Sequence, residues 1–135
     1  MENYVFQDWI TAAGASTTPF VQEAKDWLGL ASFSDVVFYL EIKQLVGTPA
    51  PGLTWNFQTA PTKDERLFQT LKSYGTSGIP PGGVQVFPAI TGTASAPTPL
   101  ATWLRWQIVA TGGTTSWSTT FRVMVVANRV ARLRW

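Results

Sequence analysis

The chain has 135 residues, enough for one domain with a sizeable core, and 45% of them are hydrophobic. Only 13% are charged, about half the usual ~25%, which gives the polar, weakly charged surface of extracellular β proteins and of subunits largely buried in an assembly. There is no cysteine and no histidine, which removes disulfides, thiolate nucleophiles, the usual base near neutral pH and the commonest zinc ligand.

The N-terminus starts Met1-Glu2-Asn3 and lacks the basic and apolar regions of a signal peptide. No apolar run approaches the ~20 residues that span a bilayer. The protein is therefore expected to be made and kept in a cytoplasm, or released by lysis, with no membrane partner. Residues 4–9 read as a short strand or an arm that adds to another sheet, and 11–19 have a linker composition of Ala, Gly, Ser and Thr ending in Pro19. Together, residues 1–18 are expected to form an N-terminal arm and linker. In 20–30, Phe20, Val21, Ala24, Trp27 and Leu28 fit the apolar stripe of a helix. The same residues also fit an extended edge strand with Trp27 pointing inward.

Residues 34–46 predict a strand. Val36, Phe38, Leu40 and Ile42 share a core face, while Val37, Tyr39, Glu41 and Lys43 share the other. That second face grades from apolar to charged, as on a strand emerging from a contact. Residues 47–52 are a loop by composition. Residues 53–59 follow as a strand with Leu53, Trp55 and Phe57 inward. A charged turn at 60–66 leads to a strand over 67–74, and Pro88 assigns the strand at 84–90 to a sheet edge. The loops at 76–83 and 91–99 are rich in Gly, Pro, Ser and Thr. Residues 102–110 and 117–127, separated by Thr111-Gly112-Gly113-Thr114-Thr115-Ser116, read as a closing β-hairpin. Its core residues are expected to be Phe121, Val123 and Val125, with Arg105, Gln107 and Arg122 outward. Seven or eight strands with no βαβ rhythm predict an all-β antiparallel β-sandwich, jelly-roll-like, over 19–128, followed by a basic tail at 129–135.

Charge is unevenly distributed. All eight acids lie in 1–65, which carry −5, whereas 66–135 carry +7. Either the two halves interleave in the fold, or an acidic face meets a neighbour's basic face. Basic residues scattered through apolar strands do not predict a nucleic-acid surface. Catalytic signals are missing too. Asp64-Glu65 sits between Lys63 and Arg66, as at a solvated hairpin tip. Asp8, Glu23 and Asp26 lack a calcium-loop spacing. Gly82-Gly83 and Gly112-Gly113 have no strand-to-helix context for phosphate. No enzyme activity, cofactor or metal is expected.

Seven tryptophans remain to be placed. A core role is the default for each, yet an exposed Trp can stack on a sugar or anchor an interface. Trp9, Trp117 and Trp135 lie beside turns or termini and are expected at an interface.

Three stretches carry a resemblance: Ala31-Ser32-Phe33-Ser34-Asp35-Val36-Val37-Phe38-Tyr39-Leu40-Glu41-Ile42, Leu53-Thr54-Trp55-Asn56-Phe57-Gln58-Thr59-Ala60-Pro61, and Trp103-Leu104-Arg105-Trp106 ahead of Phe121-Arg122-Val123. This pattern, over about residues 31–127, resembles small jelly-roll-like β-sandwich proteins from the structural-gene clusters of tailed phages and prophages. The resemblance favours the extended reading of 20–30, although that segment and the arginine-rich end depart from the pattern. It implies a non-enzymatic component of a virion or phage-like particle, assembled in the bacterial cytoplasm. Such a component would be a capsid decoration protein or a head-tail accessory that forms a homo-oligomer and docks on a major capsid or other particle protein. Trp9, Trp117, Arg129, Arg132, Arg134 and Trp135 are its expected interface residues. The alternative is a carbohydrate-binding module using exposed Trp117 or Trp103.

Overall fold

In the computed structural model, which describes residues 2–14, 19–30, 33–48, 52–75, 86–90, 101–110 and 116–129, the chain builds two stacked antiparallel sheets. In chain order the strands are β1 (Glu2–Gly14), β2 (Phe20–Val21), β3 (Leu28–Gly29), β4 (Phe33–Thr48), β5 (Leu53–Ala60), β6 (Gln69–Gly75), β7 (Val86–Ile90), β8 (Trp103–Ala110) and β9 (Ser116–Arg129). Sheet A has the order β1-β9-β4-β7, and sheet B the order β2-β8-β5-β6, with β3 also on β8. Two short 3-10 turns, Ala24–Asp26 and Glu65–Leu67, precede β3 and β6.

This order has a simple origin. The chain pairs with itself as one long antiparallel ribbon, β1 with β9, β2 and β3 with β8, β4 with β7, and β5 with β6. Rolling that ribbon brings β4 against β9 and β5 against β8. The result is a jelly roll, in agreement with the expected fold class.

The same topology corrects the expected closing hairpin. Strands β8 and β9 do not pair; β8 lies in sheet B and β9 in sheet A. Each already has two neighbours, β8 between β5 and β2/β3, and β9 between β1 and β4. Among the described residues, the consecutive strands that pair as a hairpin are β5 and β6, joined by the charged turn. Residues 2–14 are also not a free arm, since β1 pairs along β9 from Glu2 to Gly14 and buries Phe6 and Ala12. The 20–30 segment is largely extended, as expected, but the turn at Ala24–Asp26 interrupts it. Trp27 is buried, and its Nε1–H donates to the Gln22 carbonyl at 2.9 Å.

The alternation read in β4 and β5 holds. Val36, Phe38, Leu40, Leu53, Trp55 and Phe57 all meet in the core between the sheets, with Trp106, Phe121, Val123 and Val125 from β8 and β9. Phe38 and Phe57 stack across the sheets at 4.4 Å between ring centroids. Past Ile42 a bulge shifts the register, so Leu45 rather than Gln44 continues the core face.

A second, smaller cluster covers part of the outer side of sheet B. Trp27 and Phe68, carried in by the two 3-10 turns, pack edge to face at 4.9 Å. They close over Arg105, whose guanidinium lies 4.1 Å from the Phe68 ring centre and 5.4 Å from that of Trp27. Its Nε–H donates to Gln58 Oε1 at 2.9 Å. Arg105 is on the outward face of β8 as expected, but it is buried, because residues distant in sequence lie over it. Burial lowers its pKa from the ordinary arginine value, partly offset by the charge of Glu65.

Candidate assembly surface

The outer face of sheet A differs from that of sheet B. On sheet B the uncovered outward positions are mostly polar, with Asn56 opposite Gln107 and Ser73, and Ser73 Oγ bonded to Asn56 Oδ1 at 2.7 Å. On sheet A, β9 reads Val123-Met124-Val125-Val126-Ala127 and β4 reads Val36-Val37-Phe38-Tyr39-Leu40. Near-continuous apolar runs belong to strands covered on both faces. Their inward members fill the core. Over their outward members no described strand packs.

The registers assemble those outward residues into rows. Asn3, Val126 and Val37 lie abreast, then Val5, Met124 and Tyr39, then Arg122 and Glu41, then Thr11, Thr120 and Gln44. Val5 is 58% exposed, while Val37, Tyr39, Met124 and Val126 are half-buried. Five apolar side chains on three adjacent strands thus make one field, of the kind that marks a protein contact when it is contiguous.

Trp9 borders this field at 40% exposure. Two register shifts in β1, between Val5 and Gln7 and between Gln7 and Ile10, take Asp8 and Trp9 out of the ladder. The local bonds of that bulge are Trp9 N–H to Asp8 Oδ1 at 2.8 Å and Gln7 Nε2 to the Asp8 carbonyl at 3.0 Å. The bulge aims the indole across the sheet surface. Arg122 lies 4.9 Å from its ring centre and Lys43 5.9 Å. Arg122 also donates to Glu41 directly opposite. That hydrogen bond, reinforced by the charges of Glu41 and Asp8 against some desolvation, raises the arginine pKa further above its ordinary value.

The expected interface residues separate here. Trp9 lies on the exposed face. Trp117 does not, because it is in phase with Phe121, Val123 and Val125 on β9 and faces the core, where its indole lies over Gly14 and is buried. Arg129 ends β9 opposite Phe33; Arg132, Arg134 and Trp135 lie outside the described residues. The outward set of Val5, Val37, Tyr39, Met124 and Val126 was not singled out from the sequence. Its signal was the unbroken apolar run of β9, which the alternation of Phe121, Val123 and Val125 had partly masked. Asp64, weighed as half of a catalytic pair, is instead a turn residue: its Oδ1 accepts from Arg66 N at 3.0 Å, and Arg66 Nη2 reaches Oδ2 at 2.8 Å. Trp103, weighed for sugar stacking, is half-buried with the Lys63 ammonium 4.4 Å from its ring centre.

No protein-family model matches this chain, and no curated protein matches it in sequence. Among solved structures its fold is similar to that of a chain in the structure of infectious bursal disease virus, Gx strain, with a TM-score of 0.50 and 14% identity. The match covers 98% of this chain and 33% of the other, so the chain spans about a third of that neighbour's length. At this identity the likeness is one of fold.

Proposed function

We propose that the chain is a non-enzymatic structural component of a virion or phage-like particle, acting as a capsid decoration or head-tail accessory protein. It assembles with copies of itself and docks on another particle protein through the outer face of sheet A. The observation that carries this reading is the apolar field of Val5, Val37, Tyr39, Met124 and Val126, bordered by Trp9. Such a face is costly to leave in water and gains by being covered. The jelly roll and the fold likeness to a chain of a virus structure support it. Fold alone would not, since jelly rolls also serve lectins and cupins. The glycan-binding alternative loses its named residues, because Trp117 is buried and Trp103 lies under Lys63.

The test is co-sedimentation of the purified chain with empty particles of the virus or prophage that encodes it. Saturable retention on the particles supports the proposal. A chain that neither self-associates nor is retained, and that instead binds a defined sugar on a glycan array, overturns it.

A further inference from the structure

Strand β1 ends sheet A, with β9 on one side and no described strand on the other. At 13 residues it is a long edge, and the unpaired main chain of a long edge is a template on which a further strand can add. The space beside its middle is an open cleft of about 420 Å³, lined by Gln7 and Ile10 of β1 and by Phe20, Val21 and Gln22 on the side of sheet B.

Three residues in that middle have no partner in the ladder to β9: Phe6, Asp8 and Trp9, at the two register shifts. A bulge leaves main-chain groups without their ladder bonds. Here side chains take them. Gln22 Nε2 donates to the Phe6 carbonyl at 3.1 Å, Gln7 Nε2 donates to the Asp8 carbonyl at 3.0 Å, and Asp8 Oδ1 accepts from the Trp9 N–H at 2.8 Å. Gln7 and Asp8 act within the bulge itself. Gln22 comes from 16 positions along the chain and from the other sheet.

Gln22 is buried and held from several directions. Its N–H donates to the Trp106 carbonyl of β8 at 3.0 Å, and its carbonyl accepts from Trp27 Nε1 at 2.9 Å. Its Nε2 gives a second hydrogen bond to the Asp26 carbonyl at 3.1 Å. Two carbonyls at the same nitrogen fix the amide, since a flip would set oxygen against oxygen. The side chain therefore clasps the edge of sheet A to sheet B. A strand adding to β1 would have to lie where this side chain crosses, and would find the Phe6 and Asp8 carbonyls and the Trp9 N–H already bonded. Natural sheets protect their edges with bulges and coverings of this kind.

We propose that Gln22 guards the edge of β1: by bonding the Phe6 carbonyl from sheet B it bars a further strand, above all β1 of a second copy, from adding to sheet A. The guard acts on the side of the sandwich and is independent of whether the outer face of sheet A is covered.

The test compares the full chain with Gln22→Met, which keeps the length of the side chain and removes both donors. After thermal unfolding has shown the variant to be folded, thioflavin T fluorescence and sedimentation are followed across a concentration series. Gln22→Met is expected to form dye-binding, sedimenting species that grow with concentration and that the unaltered chain does not form. Adding Thr11→Lys, a charge at an exposed position of β1, is expected to suppress them. Gln22→Leu serves in the same comparison if Gln22→Met does not fold. In the unaltered chain, the Gln22 side-chain amide is expected to exchange its hydrogens at least about tenfold more slowly than a free glutamine amide. A folded Gln22 variant that forms no such species overturns the proposal. So does growth that Thr11→Lys leaves unchanged, or a Gln22 amide that exchanges as fast as free glutamine.

Discussion

Glu41 and Arg122 stand directly opposite each other on β4 and β9, hydrogen-bonded on the outer face of sheet A. One comes from the acidic first half of the sequence and the other from the basic second half. The rolled ribbon sets early strands beside late ones, so opposite charges separated by 81 positions become neighbours. Interleaving of the halves, rather than a two-signed particle surface, accounts for this pair. Arg122 then presents its guanidinium to Trp9, so the ion pair and the indole form one border to the apolar field.

That coupling is accessible to a double-mutant cycle with Glu41→Gln and Arg122→Gln. A favourable interaction is expected at low salt. It should fade as added salt shortens the Debye length to about 3 Å near 1 M. Additive effects at every salt concentration would deny the pair an energetic role.

Arg105 holds the 3-10 turns onto sheet B through Phe68, Trp27 and Gln58. Arg105→Ala is expected to lose about 2 kcal/mol in urea unfolding, from lost packing and an orphaned Gln58 oxygen. Arg105→Lys should recover little of it, since an ammonium has no planar face to stack and no Nε–H in that geometry. Wild-type stability in either variant would refute the buried arrangement.

Trp117 and Trp9 should respond oppositely to truncation. Trp117→Ala is expected to cost about 3–5 kcal/mol, whereas Trp9→Ala should stay within about 0.5 kcal/mol for the isolated subunit. Gly14→Ala belongs with the first group. A Cβ there would fall 2.7 Å from the Trp117 indole, so about 1–3 kcal/mol of overpacking is expected. Thermal denaturation of the three variants ranks them directly.

Asp64 gives a pH signature. The side-chain hydrogen bond from Arg66, with that from the Arg66 main chain, holds its carboxyl below the ordinary value of 3.8. A depressed folded-state pKa means that the unfolded chain binds the proton more readily, so the stabilisation is present above the unfolded pKa and is lost as pH falls through the folded one. Wild type should exceed Asp64→Asn in stability from neutral pH down to about pH 5, and the two should converge in strong acid. A difference that persists unchanged at low pH would assign the effect to something other than the carboxylate charge.

How far the sequence was legible follows from which partners are local. Alternation alone placed Val36, Phe38, Leu40, Leu53, Trp55 and Phe57 correctly, because a strand's two faces are written every second residue. Strand pairing is not local. The apolar runs of β8 and β9 around two glycines read equally well as a hairpin or as a crossing between sheets, and only β4 and β5, far upstream, decide between them. Trp117 keeps the inward phase of Phe121, Val123 and Val125, so the same alternation already placed it. Arg105 was buried because Phe68 and Trp27 reach over it, and that covering is not visible near Arg105 in the sequence. The candidate surface was half legible: the gradation of Val37, Tyr39, Glu41 and Lys43 marked β4 as leaving a contact. The same signal in Met124 and Val126 needed the register to align it with Val5.

The most direct test of the assembly role is sedimentation velocity of the wild-type chain and of Val5→Glu with Met124→Gln across a concentration series. The account predicts that the wild type sediments as an oligomer and the double variant as a folded monomer with an unchanged thermal midpoint. A wild type that stays monomeric throughout, or a folded double variant that assembles as the wild type does, would contradict it.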